Sequence, residues 1–371
     1  MLKVEIDLKA IQHNYRVLCS ISAGQIMPVV KADAYGHGME KTAHSLLSQG
    51  VQTFAVGTID EGIALRQSLS GVGIYSLLGP LSPEDFHNVF EYRITPAVHS
   101  WFQLEQLVQN CSQGCRLKIG IKFDTGMGRL GFEPGQAAET AHYLAANPCL
   151  VPEMIISHLA CADIPQMESR VMEQSRILDS ICSVFSQAKF KVQKSLSNSA
   201  AILSFPSICK GVARPGIALY GGNPFAGTCR QDKGTSLKQA MSVKAPVLCV
   251  HDLARGQGIS YGLTFVAHRD MRVAIIGCGY ADGYSRSLSN KSWMVYNGKR
   301  LPVLGKVCMQ LTAVDVTGAP ELVPGDEVFI LGGSGQNRID IHELAVWWGT
   351  ISYEVFCLLG KNHKSYTNGS S

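Results

Sequence analysis

The chain has 371 residues, of which 46% are hydrophobic and 17% charged, and its formal net charge is +4. This length predicts either a barrel of about 250 residues with a smaller domain or two medium domains. The mild charge, without a run of basic residues or an 18-residue apolar run, argues against nucleic-acid binding and membrane spanning, so we expect a small-molecule partner.

The N-terminal sequence MLKVEIDLKAIQHNY carries charges every few residues and lacks the apolar core of an export signal. The twelve cysteines include no C-x-x-C pair. Without an export signal, such cysteines are typical of reduced thiols rather than of disulfides or structural zinc. We therefore expect a cytoplasmic protein with no metal site.

From Met27 to about Gly221, short apolar runs alternate with amphipathic helical stretches. The predicted strands, in chain order, are MPVV, TFAVG, GIYSLL, ITPAV, RLKIGIKF, PEMIISH, FKVQKSLS and GVAR. Thr58 and Glu61 form a capping-box pattern, and Ser82-Pro83 is typical of a helix start. Eight such units favour an α/β class with an N-terminal (β/α)8 TIM-type barrel over residues 1–230, and an open doubly wound sheet is the alternative.

After Gly221 the pattern changes to short strands separated by turn residues. Asn297-Gly298 lies between apolar residues, which predicts a β-hairpin. One helix is predicted from Asp340, with Glu343 as the second residue of its cap. Residues 231–371 are therefore predicted to form a second, mostly β domain.

Functional side chains of such a barrel lie at the carboxyl ends of its strands. The candidates at those ends are Lys31 after strand one, Lys122 after strand five, His158 after strand six and Arg214 after strand eight. Asn198-Ser199 and Gly216-Ile217 follow strands seven and eight, where backbone amides commonly bind phosphate. Each candidate also has a structural interpretation, because lysines at strand ends are often solvated and a histidine often lies in a core. Lys31 itself could be a surface, a phosphate-binding or a carbonyl-reactive lysine.

The chain closely resembles bacterial alanine racemase over nearly its whole length. The motifs that carry the resemblance are VVKADAYGHG, KFDTGMGRLGF, SHLACAD, SNSAA, ARPGIALYG, GISYGLTF, GCGYADGY, GKVCM and GTISYEV. The resemblance implies a pyridoxal 5'-phosphate enzyme that interconverts L-alanine and D-alanine by two-base proton transfer and supplies D-alanine for peptidoglycan. A racemase of other small amino acids, such as serine, and a pyridoxal-phosphate carrier without turnover are the alternatives. The predicted second catalytic residue in the β domain argues against the carrier.

The resemblance also implies a role for individual residues. Lys31 would carry the cofactor and act as one acid/base, and Tyr261 would be the other; Lys31 would serve the D-isomer and Tyr261 the L-isomer. Arg214 would face the pyridine nitrogen, oriented by His158. The implied phosphate-binding group consists of Tyr35, Asn198, Ser199, Gly216, Ile217 and Tyr353.

The substrate carboxylate would be bound by Arg129 and the Met309 amide, with Lys122 carbamylated beside Arg129. The family resemblance further implies a homodimer with shared active sites. Lys306, Gln310 and the tail sequence GKNHK, Gly360–Lys364, depart from the family pattern of arginine, C-M-D-Q and R-V-P-R.

Overall fold

The N-terminal part of the chain forms a closed barrel of parallel strands. The computed structural model describes residues 2–112, 114–333, 335 and 338–368. After strand β1 (Lys3–Asp7) and helix α1 (Leu8–Ile21), the barrel strands are β2 (Gln25–Ile26), β3 (Thr53–Val56), β4 (Gly73–Ser76), β5 (Thr95–Val98), β6 (Leu117–Lys122), β7 (Leu150–Ile156), β8 (Gln193–Ser195) and β9 (Val212–Ala213). Strands β3 to β8 pair in sequence order, and β2 pairs with β9. Backbone hydrogen bonds from Val30 N–H to Ala55 O and from Arg214 N–H to Ser197 O, both 2.8 Å, complete the ring. The barrel prediction is confirmed, and the open sheet is excluded.

The first barrel strand differs from its predicted position. Regular pairing covers Gln25–Ile26 rather than the predicted run from Met27 to Val30, and Val29 joins Ala55 through an isolated bridge. Pro28 has no N–H to donate, so the hydrogen-bonded ladder breaks there. Its carbonyl still accepts from Ala55 N–H at 2.9 Å.

The α-helices around the barrel are α2 (Met39–Leu47), α3 (Ile59–Ser68), α4 (Pro83–Glu91), α5 (Trp101–Gln109), α6 (Ala137–Ala146), α7 (Glu168–Gln187) and α8 (Ser199–Ser204). Two of them, α3 and α4, begin at the caps that the sequence predicts. Thr58 accepts a hydrogen bond from Glu61 N–H, and Ser82 accepts one from Asp85 N–H with Pro83 at the first helical position. Each cap satisfies backbone donors that a helix leaves free at its start.

The C-terminal part is mostly β, as predicted. Its strands are β10 (Met241–Leu253), β11 (Gly258–Ile259), β12 (Phe265–Val266), β13 (Met271–Ile276), β14 (Trp293–Tyr296), β15 (Lys299–Leu304), β16 (Thr312–Asp315), β17 (Glu327–Leu331) and β18 (Lys364–Thr367), with helices α9 (Ile341–Trp348) and α10 (Ser352–Leu359). Strands β13, β16, β15, β14, β17 and β10 close into an antiparallel barrel, because β10 pairs with both β17 and β13. Asn297 and Gly298, both with positive φ, turn the β14–β15 hairpin.

Strand β1 departs from the predicted division at residue 230. It pairs with β10 and with β18, so the first strand of the chain lies in the sheet of the second domain. Helix α1 follows directly and returns to the first barrel, where the Asn14 side chain donates to Leu219 O at 2.9 Å. One continuous cluster of buried apolar side chains runs through both parts. Among the described helices, none is both long and apolar enough to cross a membrane.

Candidate active site

A cavity of about 620 Å³ opens at the carboxyl ends of the barrel strands. It collects eleven of the thirteen predicted site residues: Lys31, Tyr35, Lys122, Arg129, His158, Asn198, Ser199, Arg214, Gly216, Ile217 and Tyr353. A second cavity, of about 400 Å³, lies at the opposite end of the barrel, and its lining includes Gln25, Gln52 and Gln193 but no lysine or arginine among the described residues. Of these two cavities, the first is the one that combines a lysine with other charged groups.

Lys31 begins a turn with an unusual backbone. Within Lys31–Gly36, which we call the lysine turn, Ala32 to Tyr35 all have φ between +51° and +55°. Left-handed geometry costs about 1–2 kcal/mol for each residue that is not glycine, so other contacts must hold the turn. Glu61 provides one of them, because its carboxylate accepts from Ala32 N–H at 2.7 Å and from Gly57 N–H at 2.6 Å.

His37 supports the lysine turn from its buried side. Its Nδ1 lies 3.1 Å from Ala34 O and 3.0 Å from Tyr35 O. Since both partners are carbonyl oxygens, Nδ1 must be the protonated nitrogen. The ring stacks on Tyr220 at 4.5 Å, and the Tyr220 hydroxyl donates to Val29 O at 2.8 Å. The turn is therefore fixed by side chains rather than by local backbone preference.

Besides Lys31, the cavity is lined by the cations Lys122, Arg129 and Arg214 and by the carboxylate of Glu354. The Lys31 side chain lines the cavity and is surrounded by protein atoms. Burial, followed by the positive charge of Arg129, lowers the pKa of its amine, although the negative charge of Glu61 acts in the opposite direction. Burial, followed by the charge of Arg214, lowers the pKa of Lys122 to about 8. Both lysines therefore hold more neutral amine near neutral pH than exposed lysines do.

Arg214 is held in one orientation by three neighbours. Its guanidinium donates to the Ser195 hydroxyl and to Ser157 O, and one guanidinium nitrogen lies 3.5 Å from His158 Nδ1. Burial lowers the pKa of Arg214 to about 10, so the group stays charged at neutral pH. Burial and the Arg214 charge lower the pKa of His158 to about 3, so His158 stays neutral and can accept from Arg214.

The Ser199 region forms a polar end to the cavity. Ser199 Oγ accepts from Gly216 N–H at 3.0 Å and from Ala218 N–H at 3.2 Å, and Asn198 caps helix α8 through Ala201 N–H. A Cβ at Gly216 would lie 2.2 Å from the Tyr35 hydroxyl, so only glycine permits this approach. Hydroxyl and amide groups from three segments thus meet at one place.

Arg129 lies on a loop shaped by Asp124. The Asp124 carboxylate accepts from the N–H groups of Gly126 (2.8 Å), Met127 (2.7 Å) and Arg129 (2.7 Å). Burial opposes the ionisation of Asp124, but these hydrogen bonds outweigh it and lower its pKa. The ionised carboxylate therefore fixes the loop that presents Arg129 to the cavity.

Tyr261 and Met309 do not line this cavity. Both lie in the second domain, and their exposed fractions are 67% and 58%. They share one surface, because Ser260 Oγ donates to Lys306 O at 2.6 Å and so joins the two segments. The structure of one chain therefore separates the two predicted acid/base residues.

Sequence reasoning missed two residues that organise the site. In the sequence, Glu61 is recognisable only as the second member of a helix cap, because its bond to the lysine turn joins positions 29 residues apart. Asp124 precedes the glycines of DTGMG. This arrangement is a recognisable signal for a loop in which an aspartate carboxylate accepts hydrogen bonds from the backbone amides that follow it. Cys357 also lines the cavity, and no sequence signal predicted it.

Two family models match the chain. The model described as alanine racemase, N-terminal domain, matches residues 6–224, and the one described as alanine racemase, C-terminal domain, matches residues 240–367. The chain belongs to the alanine racemase family.

Curated relatives match the chain over nearly its full length. The alanine racemase of Nitratidesulfovibrio vulgaris (strain DSM 19637 / Miyazaki F) is 44% identical over 365 residues, which cover 98% of each chain. That of Lawsonia intracellularis is 41% identical, over 97% of this chain and 95% of the relative. The family assignment therefore covers both domains.

Solved structures of the family share the fold. The Bartonella henselae alanine racemase with covalently bound pyridoxal phosphate is 30% identical, with a TM-score of 0.88 over 99% of each chain. The biosynthetic alanine racemase of Pseudomonas aeruginosa is 31% identical, with a TM-score of 0.87 over 99% of each chain. Both barrels of this family member thus have counterparts in solved structures.

Proposed function

We propose that this family member interconverts L-alanine and D-alanine with pyridoxal 5'-phosphate, and that it supplies D-alanine for peptidoglycan. The observation that carries the proposal is the position of Lys31. Its amine, with a lowered pKa, opens onto the same cavity as Arg129 and Arg214. A partly neutral amine at a barrel strand end is suited to attack an aldehyde.

The residues of the cavity fit the cofactor. Because Gly216 has no side chain, the Tyr35 hydroxyl can approach the Gly216 backbone, which also contacts Ser199 Oγ. The two hydroxyls and the backbone amides are polar groups that suit a phosphate. Arg214 stays charged and has no acceptor atom, so it can only donate to a pyridine nitrogen. Pyridoxal phosphate, when bound, supplies the electron-withdrawing ring that acidifies the Cα–H of alanine.

We assign the remaining roles to this chain's own side chains. Lys31 and Tyr261 move protons on opposite faces of Cα, and Arg129 with the Met309 amide binds the carboxylate. Carbamylation of Lys122 needs a neutral amine, and its lowered pKa provides one. A carbamate there would place a negative charge among the cations.

A homodimer is part of the proposal. Tyr261 and Met309 lie outside the cavity of their own chain, on a surface that also exposes Leu263, Val266 and Leu311. Such an apolar surface beside a predicted acid/base suits contact with a partner's cavity. We also propose a division into a barrel domain, 1–230, and a β domain, 231–371, with β1 added to the latter. The proposed cytoplasmic location is supported by the twelve free cysteines.

The central prediction concerns Lys31. L-alanine incubated with the protein and cofactor should lose optical rotation without forming pyruvate. Borohydride reduction and peptide mapping should place the pyridoxyl group on Lys31. Lys31→Ala should lower kcat by roughly 10²–10⁴-fold, the usual contribution of a positioned acid/base.

Lys118→Ala is the matched control. Lys118 lies on the same strand as Lys122, is exposed and pairs with Glu153 at 2.6 Å, so its removal should leave racemisation intact. A pyridoxyl label on Lys122 would overturn the assignment of Lys31. Unchanged rotation of L-alanine with the loaded wild-type protein would overturn the proposed function.

A further inference from the structure

The lysine turn is packed against the end of the chain. The relevant part of the chain, Ser352–Thr367, comprises helix α10 and strand β18 and is called the tail segment here. A Cβ at Gly36 would lie 2.4 Å from Phe356 O, and one at Gly360 would lie 2.2 Å from Gly36 O. The two backbones therefore touch directly, at a place where the sequence GKNHK departs from the family pattern.

Side chains extend this contact along the turn. The ring of His37 meets Phe356 edge to face, with centroids 4.7 Å apart, and a Cβ at Gly38 would lie 2.0 Å from the Tyr366 hydroxyl. The tail segment also supplies Tyr353 and Cys357 to the cavity lining. The tail segment thus contacts both the cavity and the lysine turn.

An ion pair joins the tail segment to the lysine turn within the left-handed stretch. Lys364 Nζ lies 2.9 Å from Asp33 Oδ2, and the exposed fractions of the two side chains are 15% and 53%. The other carboxylate oxygen of Asp33 accepts from Met39 N–H at 2.7 Å. Lys364 is fixed in turn, because strand β18 pairs with β1, which pairs with β10.

We propose that Lys364 and Asp33 are positioning residues for the reaction, and that their ion pair holds the lysine turn so that Lys31 points at the cofactor. This inference rests on the proposed role of Lys31. Asp33 lies two residues from Lys31, inside the left-handed stretch. If the Asp33 side chain loses its partner, the backbone of the lysine turn can change its path, and the direction of the Lys31 side chain changes with it. The ion pair connects that backbone to the second domain.

The test replaces Lys364 by methionine in the full-length protein. Lys364→Met should weaken pyridoxal-phosphate binding and lower kcat, each about three- to fivefold, as expected for an ion pair with one half-exposed partner. The KM for alanine should change less than twofold, because Arg129 is not involved. The visible circular dichroism of the bound cofactor should change, and the Ala34 amide, bonded to Val30 O at 2.8 Å, should exchange faster in the cofactor-free protein.

Three further variants make the result specific. Lys364→Arg keeps the charge and should restore cofactor binding to within about twofold of wild type. Lys299→Met removes the lysine of the Lys299–Glu321 pair, whose partners do not line the cavity, and should leave cofactor binding and kcat unchanged. Asp33→Asn removes the charge but keeps an acceptor for Met39, and tests the same pair if Lys364→Met does not fold.

The outcomes separate this inference from the proposed function. Wild-type protein that fails to bind the cofactor through Lys31 overturns the proposed function. Wild-type protein that binds it there, with Lys364→Met and Asp33→Asn matching wild type in cofactor affinity, dichroism and kcat, overturns the positioning role alone. A lower melting temperature without those changes also overturns it, since it shows a structural contact only.

Discussion

At the scale of single residues, the charge of one buried group sets the state of its neighbour. Arg214 keeps its proton, and burial with that charge holds the pKa of His158 near 3. A neutral His158 offers its Nδ1 lone pair to the guanidinium at 3.5 Å. Between about pH 3 and pH 10 the pair therefore carries a single positive charge.

His37 provides a prediction about pH. Its side chain is fully buried, and burial lowers its pKa from 6.5 to about 4 despite hydrogen bonds to the carbonyls of Tyr35 and Ala34. Between these values the unfolded chain binds a proton that the folded chain does not, so stability is full above pH 6.5 and falls towards pH 4. Acidification from pH 7 to pH 5 should cost about 2 kcal/mol through this residue.

Chemical unfolding at the two pH values measures that loss. His37→Gln should be less stable than wild type at pH 7, because it loses the stacking on Tyr220, but it should lose about 2 kcal/mol less on acidification. His87→Gln, at an exposed position on helix α4, serves as the control and should behave as wild type. An identical pH dependence in wild type and His37→Gln would contradict the argument.

At the scale of elements, one carboxylate serves both a helix and the lysine turn. Glu61 completes the cap of helix α3 and also accepts from Ala32 N–H. Glu61→Ala should lower the free energy of unfolding by about 1–3 kcal/mol, because the buried Gly57 N–H and the Ala32 N–H lose their acceptor, and should weaken cofactor binding. Thr58→Ala removes only the hydrogen bond to Glu61 N–H, should cost about 1 kcal/mol and should leave cofactor binding unchanged.

Thermal unfolding and cofactor titration of both variants separate the two functions of Glu61. Equal losses of cofactor affinity in Thr58→Ala and Glu61→Ala would show that the helix start alone matters. No loss in either variant would remove Glu61 from the support of the turn.

Sequence patterns predicted the elements better than their backbone details. Periodicity and caps placed the barrel helices, and strand ends placed Lys122, His158 and Arg214 at one edge, because these signals are local. The left-handed stretch Ala32–Tyr35 could not be predicted, since alanine and tyrosine disfavour that geometry and only distant contacts impose it. The Asp33–Lys364 pair joins residues at opposite ends of the chain, so no local pattern contains it.

At the scale of the whole molecule, the ends of the chain meet. Strand β1 lies between β10 and β18, so the start and the end of the chain share the sheet of the second domain. Such pairings are non-local, so the alternation of polar and apolar residues in β1 could not identify its partners. This connection couples the first barrel to the domain that carries Tyr261.

The surface around Tyr261 leads to a prediction about assembly. Closed two-fold symmetry would place Tyr261 of each chain over the cavity of the other and create two equal composite sites. Neither Lys31→Ala nor Tyr261→Phe protein should then racemise alanine efficiently alone. A mixture of the two, dissociated and reassociated, should regain activity.

The amount regained follows from pairing. In a mixed dimer, one site contains both substitutions, while the other takes Lys31 from one chain and Tyr261 from its partner. Random pairing makes half of the dimers mixed, so roughly a quarter of all sites should be intact. If both residues acted within one chain, every site would keep one substitution and the mixture would stay inactive. Two different affinity tags would verify that the chains have reassociated, and an inactive mixture would then rule out the shared site. Lys31→Ala mixed with the double variant Lys31→Ala, Tyr261→Phe is the control, since no pairing of these chains restores a lysine.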